Sequence, residues 1–130
     1  MASVTPGAII CTRSHPQKAP AEGPRCCSRE KTNGHAPGHN SHIISSGSSK
    51  VYAQADVTNL PALFARNPGW HVFFDQDAKT AEETRRKVYD MLVAEKMMVQ
   101  GFHYPFPALA YIEKSGSGYR EVPVPWNPTI

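Results

Sequence analysis

The sequence has no long apolar run: nowhere do apolar residues continue for the roughly 20 positions of a membrane-spanning helix, or for the apolar core of a secretory signal. A membrane partner is therefore not expected, and a cytoplasmic location is. Cysteine is also scarce. Of Cys11, Cys26 and Cys27, two are neighbours, so no disulfide framework is available and reduced thiols are the expected state. Aromatic residues are absent from positions 1–31, a stretch that carries Pro6, Pro16, Pro20 and Pro24 and shows no sustained period. Such a segment buries too little apolar area to offset its ordering entropy. Residues 1–31 thus read as a disordered basic leader, and residues 32–130 as one globular unit. Charge of one sign is lacking too: the net charge of +3 comes from residues 1–34, with five basic residues against two acidic, while the other 96 residues carry nine of each. Scattered basic residues with no aromatic between them make a poor nucleic-acid surface, so no nucleic acid is expected as a partner.

After Asn33, turn signals alternate with short apolar runs, the pattern of a mixed α/β unit. Ile43 and Ile44 start a first strand, Gly47 to Ser49 turn it, and Val51 to Ala55 form the return strand. Asn59 is placed to cap a short helix with Pro61 in its first turn, ended by Asn67, Pro68 and Gly69. Trp70 to Phe74, apolar and β-prone, reads as a third strand. Asp77 can cap a helix over Ala78 to Lys96, with Ala81, Thr84, Val88, Met91 and Leu92 on one face and the pairs Glu82/Arg86 and Glu83/Lys87 on the other. Met97 to Val99 make a short strand, and Ala108 to Ile112 pairs with Tyr119 to Val122 in a closing hairpin around Gly116 to Gly118.

Three polar clusters fall at strand ends: His35 in GHAPGH, Asp56 in YAQADVTN and His103 in GFHYPFP. Two imidazoles and a carboxylate suit a borderline divalent ion such as Zn²⁺. Gly34 and Gly38 permit the positive φ that turns a histidine inward in a tight loop. Taken singly, each residue has an ordinary explanation, as a surface histidine or a loop aspartate. Asp75 and Asp77, just ahead of the helix, read as capping and dipole residues. Arg85 and Arg86 lie beside glutamates and read as surface charge. Trp70, Phe102, Tyr104, Phe106 and Trp126 read as core or rim packing, and His42 and His71 as strand residues.

In their order and context the three clusters resemble the metallo-β-lactamase-fold metallo-hydrolases. GHAPGH at 34–39 is similar to that family's third metal motif, usually GHTPGH. Ala55-Asp56 is similar to its GD motif, and GFHYPFP with the following GSGYREVPVP to the terminal histidine segment of the organophosphate hydrolase and lactonase branch. The resemblance runs from about Thr32 to Tyr119 and beyond. It implies that His35 binds one metal, that Asp56 bridges two, and that His103 binds the second. The ions would be Zn²⁺ or another divalent metal, activating water against an ester, lactone, amide or phosphoester of a small-molecule substrate. By the resemblance His39 would support the site, its reading from the residues alone being equally that of a plain loop histidine, and Tyr104 and Phe106, flanking His103, would line the substrate mouth.

The sequence departs from the pattern at Ala36 and Asn40, where threonines are common, and at Ala55, where glycine is usual. A larger departure is the missing HxHxDH motif: His15 is the sole histidine before His35, and no aspartate precedes Asp56. The implied fold is therefore an α/β (α+β) unit, the C-terminal half of an αββα sandwich. Loss of the N-terminal sheet would expose Val51, Phe73, Phe74 and Val99. Three functional expectations follow: a hydrolase-family chain with an incomplete centre, a non-enzymatic fragment that binds itself or a partner through the exposed sheet face, or a truncated or frame-shifted product. The incomplete centre has a variant in which the two histidines and the aspartate gather on one metal.

Overall fold

Glycine turns between short β-prone runs organise the fold. A computed structural model describes residues 27–127. Six strands lie side by side in chain order: β1 (Cys27–Lys31), β2 (Asn40–Ser46), β3 (Ser49–Ala53), β4 (Met98–Gln100), β5 (Leu109–Ser115) and β6 (Gly118–Pro123). All neighbouring strands are antiparallel except β3 and β4, which are parallel. The β2–β3 hairpin turns at Gly47, whose φ of 58° is one that glycine adopts without strain.

The parallel pair requires a crossover, built from a 3-10 turn at Ala55–Val57, a short helix α1 (Pro61–Phe64) and the long helix α2 (Ala78–Glu95). Asp77 caps α2, its carboxylate accepting from the Thr80 amide at 3.0 Å, and Lys96 ends it in the left-handed conformation. Helix α1 starts from Leu60 with no side-chain cap, not from Asn59, and Pro61 occupies a position where its missing N–H costs nothing. The Tyr119 amide donates to the Ala65 carbonyl at 2.9 Å and fastens the end of α1 to β6.

Helix α2 covers one face of the sheet. Val88, Tyr89 and Leu92 pack on Tyr52, Val99, Ala110, Ile112 and Tyr119. Strand register puts Ile44, Val51 and Met98 in one row on the opposite face, where Ile44 and Tyr111 are exposed.

Several expectations are corrected. Residues 27–31, assigned to the leader, are the edge strand β1, paired from Cys27↔Ile44 to Lys31↔Asn40. An edge strand needs one ladder of hydrogen bonds and little apolar side chain. Residues 1–26, the rest of that segment, lie outside the described residues. Trp70 to Phe74 is an irregular loop: β3 and β4 pair directly with each other, so no strand from this segment stands between them. Its carbonyls are satisfied locally instead: Trp70 accepts from Arg85 Nη1 and Val72 from the Asp75 amide. His71 accordingly sits outside any strand, 3.0 Å from Glu82. Val99 is fully buried by the chain's own α2, although Phe73 is exposed as expected. Arg85 is also buried, for a reason that concerns the site.

Candidate metal centre

The loops after β1, β3 and β4 leave the sheet at the same end, because β1 runs antiparallel to β2, β2 to β3, and β3 is parallel to β4. Carboxyl ends of parallel strands are the customary place for sites in α/β folds. These loops carry His35, Asp56 and His103 respectively.

The first loop is folded on itself and docked on α2. The Thr32 amide donates to the His39 carbonyl at 3.0 Å, and the His39 amide to Ala36 at 3.1 Å. Gly34 accepts from the Asp77 amide at 2.9 Å, His35 accepts from the Gln76 amide at 3.2 Å, and the Thr84 hydroxyl donates to Asn33 at 2.7 Å. Gly34, at φ 128°, lies so close to Ala81 that a Cβ there would collide with the helix backbone. This close approach seats His35 beside the start of α2. The His35 ring packs edge-on against Phe74, with centroids 5.9 Å apart.

Asp56 lies in the 3-10 turn, just after Ala55, which adopts a φ of 54°. A left-handed alanine costs roughly 1–2 kcal/mol that glycine would not, which explains why glycine is usual at that place in the resembling motif. His39 holds the turn from below. The Thr32 carbonyl can only accept, so His39 Nδ1, 2.8 Å away, is the donor; Nε2 then carries the lone pair that accepts from the Asp56 amide at 3.1 Å. Both ring nitrogens are thereby used, and His39 braces Asp56. Thr32, Ser41 and the Gln54 carbonyl continue the bracing network into the sheet.

Asp56 stands between two imidazoles and presents one oxygen to each. Oδ1 is 3.0 Å from His103 Nε2, and Oδ2 is 3.7 Å from His35 Nε2. On its other side His35 Nδ1 is 3.1 Å from Oδ1 of Asp75, a carboxylate that is 4% exposed. Asp75 Oδ2 makes no hydrogen bond; its charge is balanced by Arg85 Nη2 at 3.6 Å, an ion-pair distance. Burial pushes the Arg85 guanidinium down, with Asp75 opposing, and an arginine so displaced still stays charged.

The structure therefore brings His35, Asp56 and His103 together. Tyr104 is packed in the core beneath them, as the packing reading of its sequence expects and not at the substrate mouth that the resemblance implies, with its hydroxyl 3.4 Å from that of Tyr89, which itself donates to Thr58 at 2.6 Å. Burial pushes Tyr89 up to about 12 and raises Tyr104 as well, so both are neutral at ordinary pH. Phe106 is exposed and pairs with Trp126, with ring centroids 5.0 Å apart.

The donor set fits a bridging carboxylate. A carboxylate with one oxygen toward each of two imidazoles can share itself between two ions, each also facing one histidine nitrogen. Among the described residues no three histidine, cysteine, aspartate or glutamate side chains surround a single ion. A catalytic zinc usually takes three protein ligands, more than one histidine nitrogen and one carboxylate oxygen provide.

No protein-family model and no curated protein matches the sequence. Solved structures do. The chain superposes on AidC, described as a dizinc quorum-quenching lactonase, with a TM-score of 0.75 and 26% identity, covering 78% of this chain and 34% of that one. It superposes on AbOPH, a hydrolase in the beta lactamase superfamily, with a TM-score of 0.75 and 21% identity, covering 82% of this chain and 37% of that one. The fold is that of metallo-β-lactamase superfamily hydrolases. A probable metal-dependent hydrolase from Staphylococcus aureus matches more loosely, with a TM-score of 0.54 and 18% identity over 63% of this chain and 29% of that one. This chain thus spans about a third of the length of its metallo-β-lactamase neighbours. Among its described residues no helix is long and apolar enough to cross a membrane.

Two residues near the candidate centre escaped the sequence reading. Asp77 caps the helix as expected, but Asp75 turns to His35; Arg86 pairs with Glu82 on the surface, but Arg85 is 3% exposed. The signal for Arg85 was available: Ala81, Arg85, Val88 and Leu92 fall on one helical stripe. Asp75 had no such signal, since nothing local ties it to a histidine 40 positions away.

Proposed function

We propose that this chain supplies part of a dinuclear metal centre of a hydrolase, with His35 facing one divalent ion, Asp56 bridging and His103 facing the other. The observation that carries the reading is the placement of the Asp56 oxygens, one toward each imidazole. Bound zinc or a similar ion supplies a water that is nucleophilic near neutral pH and polarises the oxygen of an ester, lactone, amide or phosphoester. The chain's own residues do the positioning: His39 holds the Asp56 backbone, Asp75 orients His35, and the exposed rings of Phe74, Phe102 and Phe106 offer apolar surface to a small-molecule substrate. Titration of the full chain with Zn²⁺ tests this. Uptake that is lost in His103→Ala and His35→Ala supports it; uptake no greater than in those variants overturns it.

A second reading has its own observation. The outward row Ile44, Val51 and Met98, with Tyr111 and Val122 paired beside it, is apolar and lies on the face that α2 leaves uncovered. This surface suits self-association or a partner that completes the sandwich. A monodisperse monomer in sedimentation at high concentration would count against self-association, and concentration-dependent growth in mass would support it.

A further inference from the structure

Arg85 makes all its polar contacts with segments that carry or orient the candidate ligands. Nε donates to the carbonyl of Val57, the residue after Asp56, at 3.2 Å. Nη1 donates to the carbonyls of Pro68 at 2.9 Å and Trp70 at 2.8 Å, which fixes the loop leading to Asp75. Nη2 faces the second Asp75 oxygen, and the guanidinium lies 5.3 Å from the centre of the Phe64 ring. One buried cation thus reaches Asp56 through a single peptide group and His35 through a single carboxylate.

The chemistry of that chain is directional. An ionised carboxylate accepts and cannot donate, so a neutral His35 imidazole holds its proton on Nδ1 and keeps a lone pair on Nε2, the nitrogen facing Asp56. A buried carboxylate performs this role only beside a compensating charge, and Arg85 provides it. Lysine could replace the charge but not the planar fork that serves several acceptors at once.

We infer that Arg85 is a positioning residue for the metal centre, setting His35 and Asp56 together through Asp75 and the Val57 carbonyl. The inference rests on the assignment of His35 and Asp56 as ligands made above.

Long-range ¹⁵N–¹H correlation spectra of the labelled, metal-free full chain at about pH 8, above the ordinary imidazole range, read the His35 tautomer directly. The wild type shows Nδ1–H. In Asp75→Asn, Arg85 draws the amide oxygen, the NH₂ group faces Nδ1, and the proton moves to Nε2. Arg85→Lys shows a mixture of tautomers and binds Zn²⁺ about 10- to 100-fold more weakly. An Asp75→Asn chain that keeps Nδ1–H overturns the inference, as does an Arg85→Lys chain that binds Zn²⁺ as tightly as the wild type. If Arg85→Lys fails to fold, the nearly isosteric Asp75→Asn decides alone. Absence of Zn²⁺ uptake by the wild type would strike the ligand assignment, whereas the tautomer in the metal-free variants still decides whether Asp75 and Arg85 hold the imidazole.

Discussion

On the helix side of the sheet, Tyr52, Val99, Ala110 and Ile112 are at most 4% exposed; on the opposite side Ile44 and Tyr111 are 42% and 40% exposed. Both faces alternate apolar residues at the strand period, so the pattern alone does not tell them apart. The difference comes from α2, which the β3–β4 crossover lays on one side only. That side holds the buried polar contacts that prop up the site loops, including Tyr89 to Thr58 and Arg85 to Val57. The uncovered side has no comparable network among its described residues. Stability of this unit is therefore concentrated on one face, beneath the candidate ligands.

Paired substitutions can break or sharpen this contrast. Leu92→Ala, at a fully buried position of α2, is expected to cost about 2–5 kcal/mol in denaturant unfolding. Tyr89→Phe removes a donor from the buried Thr58 hydroxyl and should cost about 1–3 kcal/mol; a neutral outcome would mean that water already reaches that side of the sheet.

Glu121 tests the same face through pH. Burial raises its carboxyl above the usual range, so the stability it contributes is present below its unfolded pKa and lost as pH rises through its folded one. Glu121→Gln stays neutral throughout and should melt higher than the wild type at pH 7, with the gap closing as pH falls through about 4. A gap that widens on acidification would contradict the burial argument.

The smallest effect belongs to the uncovered face. Ile44→Ser should change the stability of the isolated chain by no more than about 0.5 kcal/mol. A loss as large as that of Leu92→Ala would mean that Ile44 is covered in solution, and the asymmetry between the faces would vanish.

Much of the fold was legible locally. The α2 cap at Asp77, both hairpins and the short β4 strand follow from side-chain oxygens, glycine turns and apolar period, all of which act over a few residues. The Trp70 to Phe74 segment misled because β-prone side chains describe a strand's preference but not the availability of a neighbour to pair with. Strand β1 was missed for the opposite reason, since its sequence CSREK has little β character and its order comes from the ladder to β2. That His35, Asp56 and His103 stand in neighbouring loops was legible because each sits in a distinctive loop motif, and Tyr104 packs in the core, as an aromatic in an apolar setting does.

The sequence by itself determined which residues turn, cap and alternate, and which three polar side chains stand at strand ends, because those properties are set by bonds and neighbours a few positions apart. Tertiary structure alone decided that the two imidazoles meet around the Asp56 carboxylate, that Asp75 serves His35 rather than the helix, and that Arg85 is buried. Each of these depends on contacts between segments 15 to 47 positions apart, and such contacts exist only once the crossover has folded α2 onto the sheet.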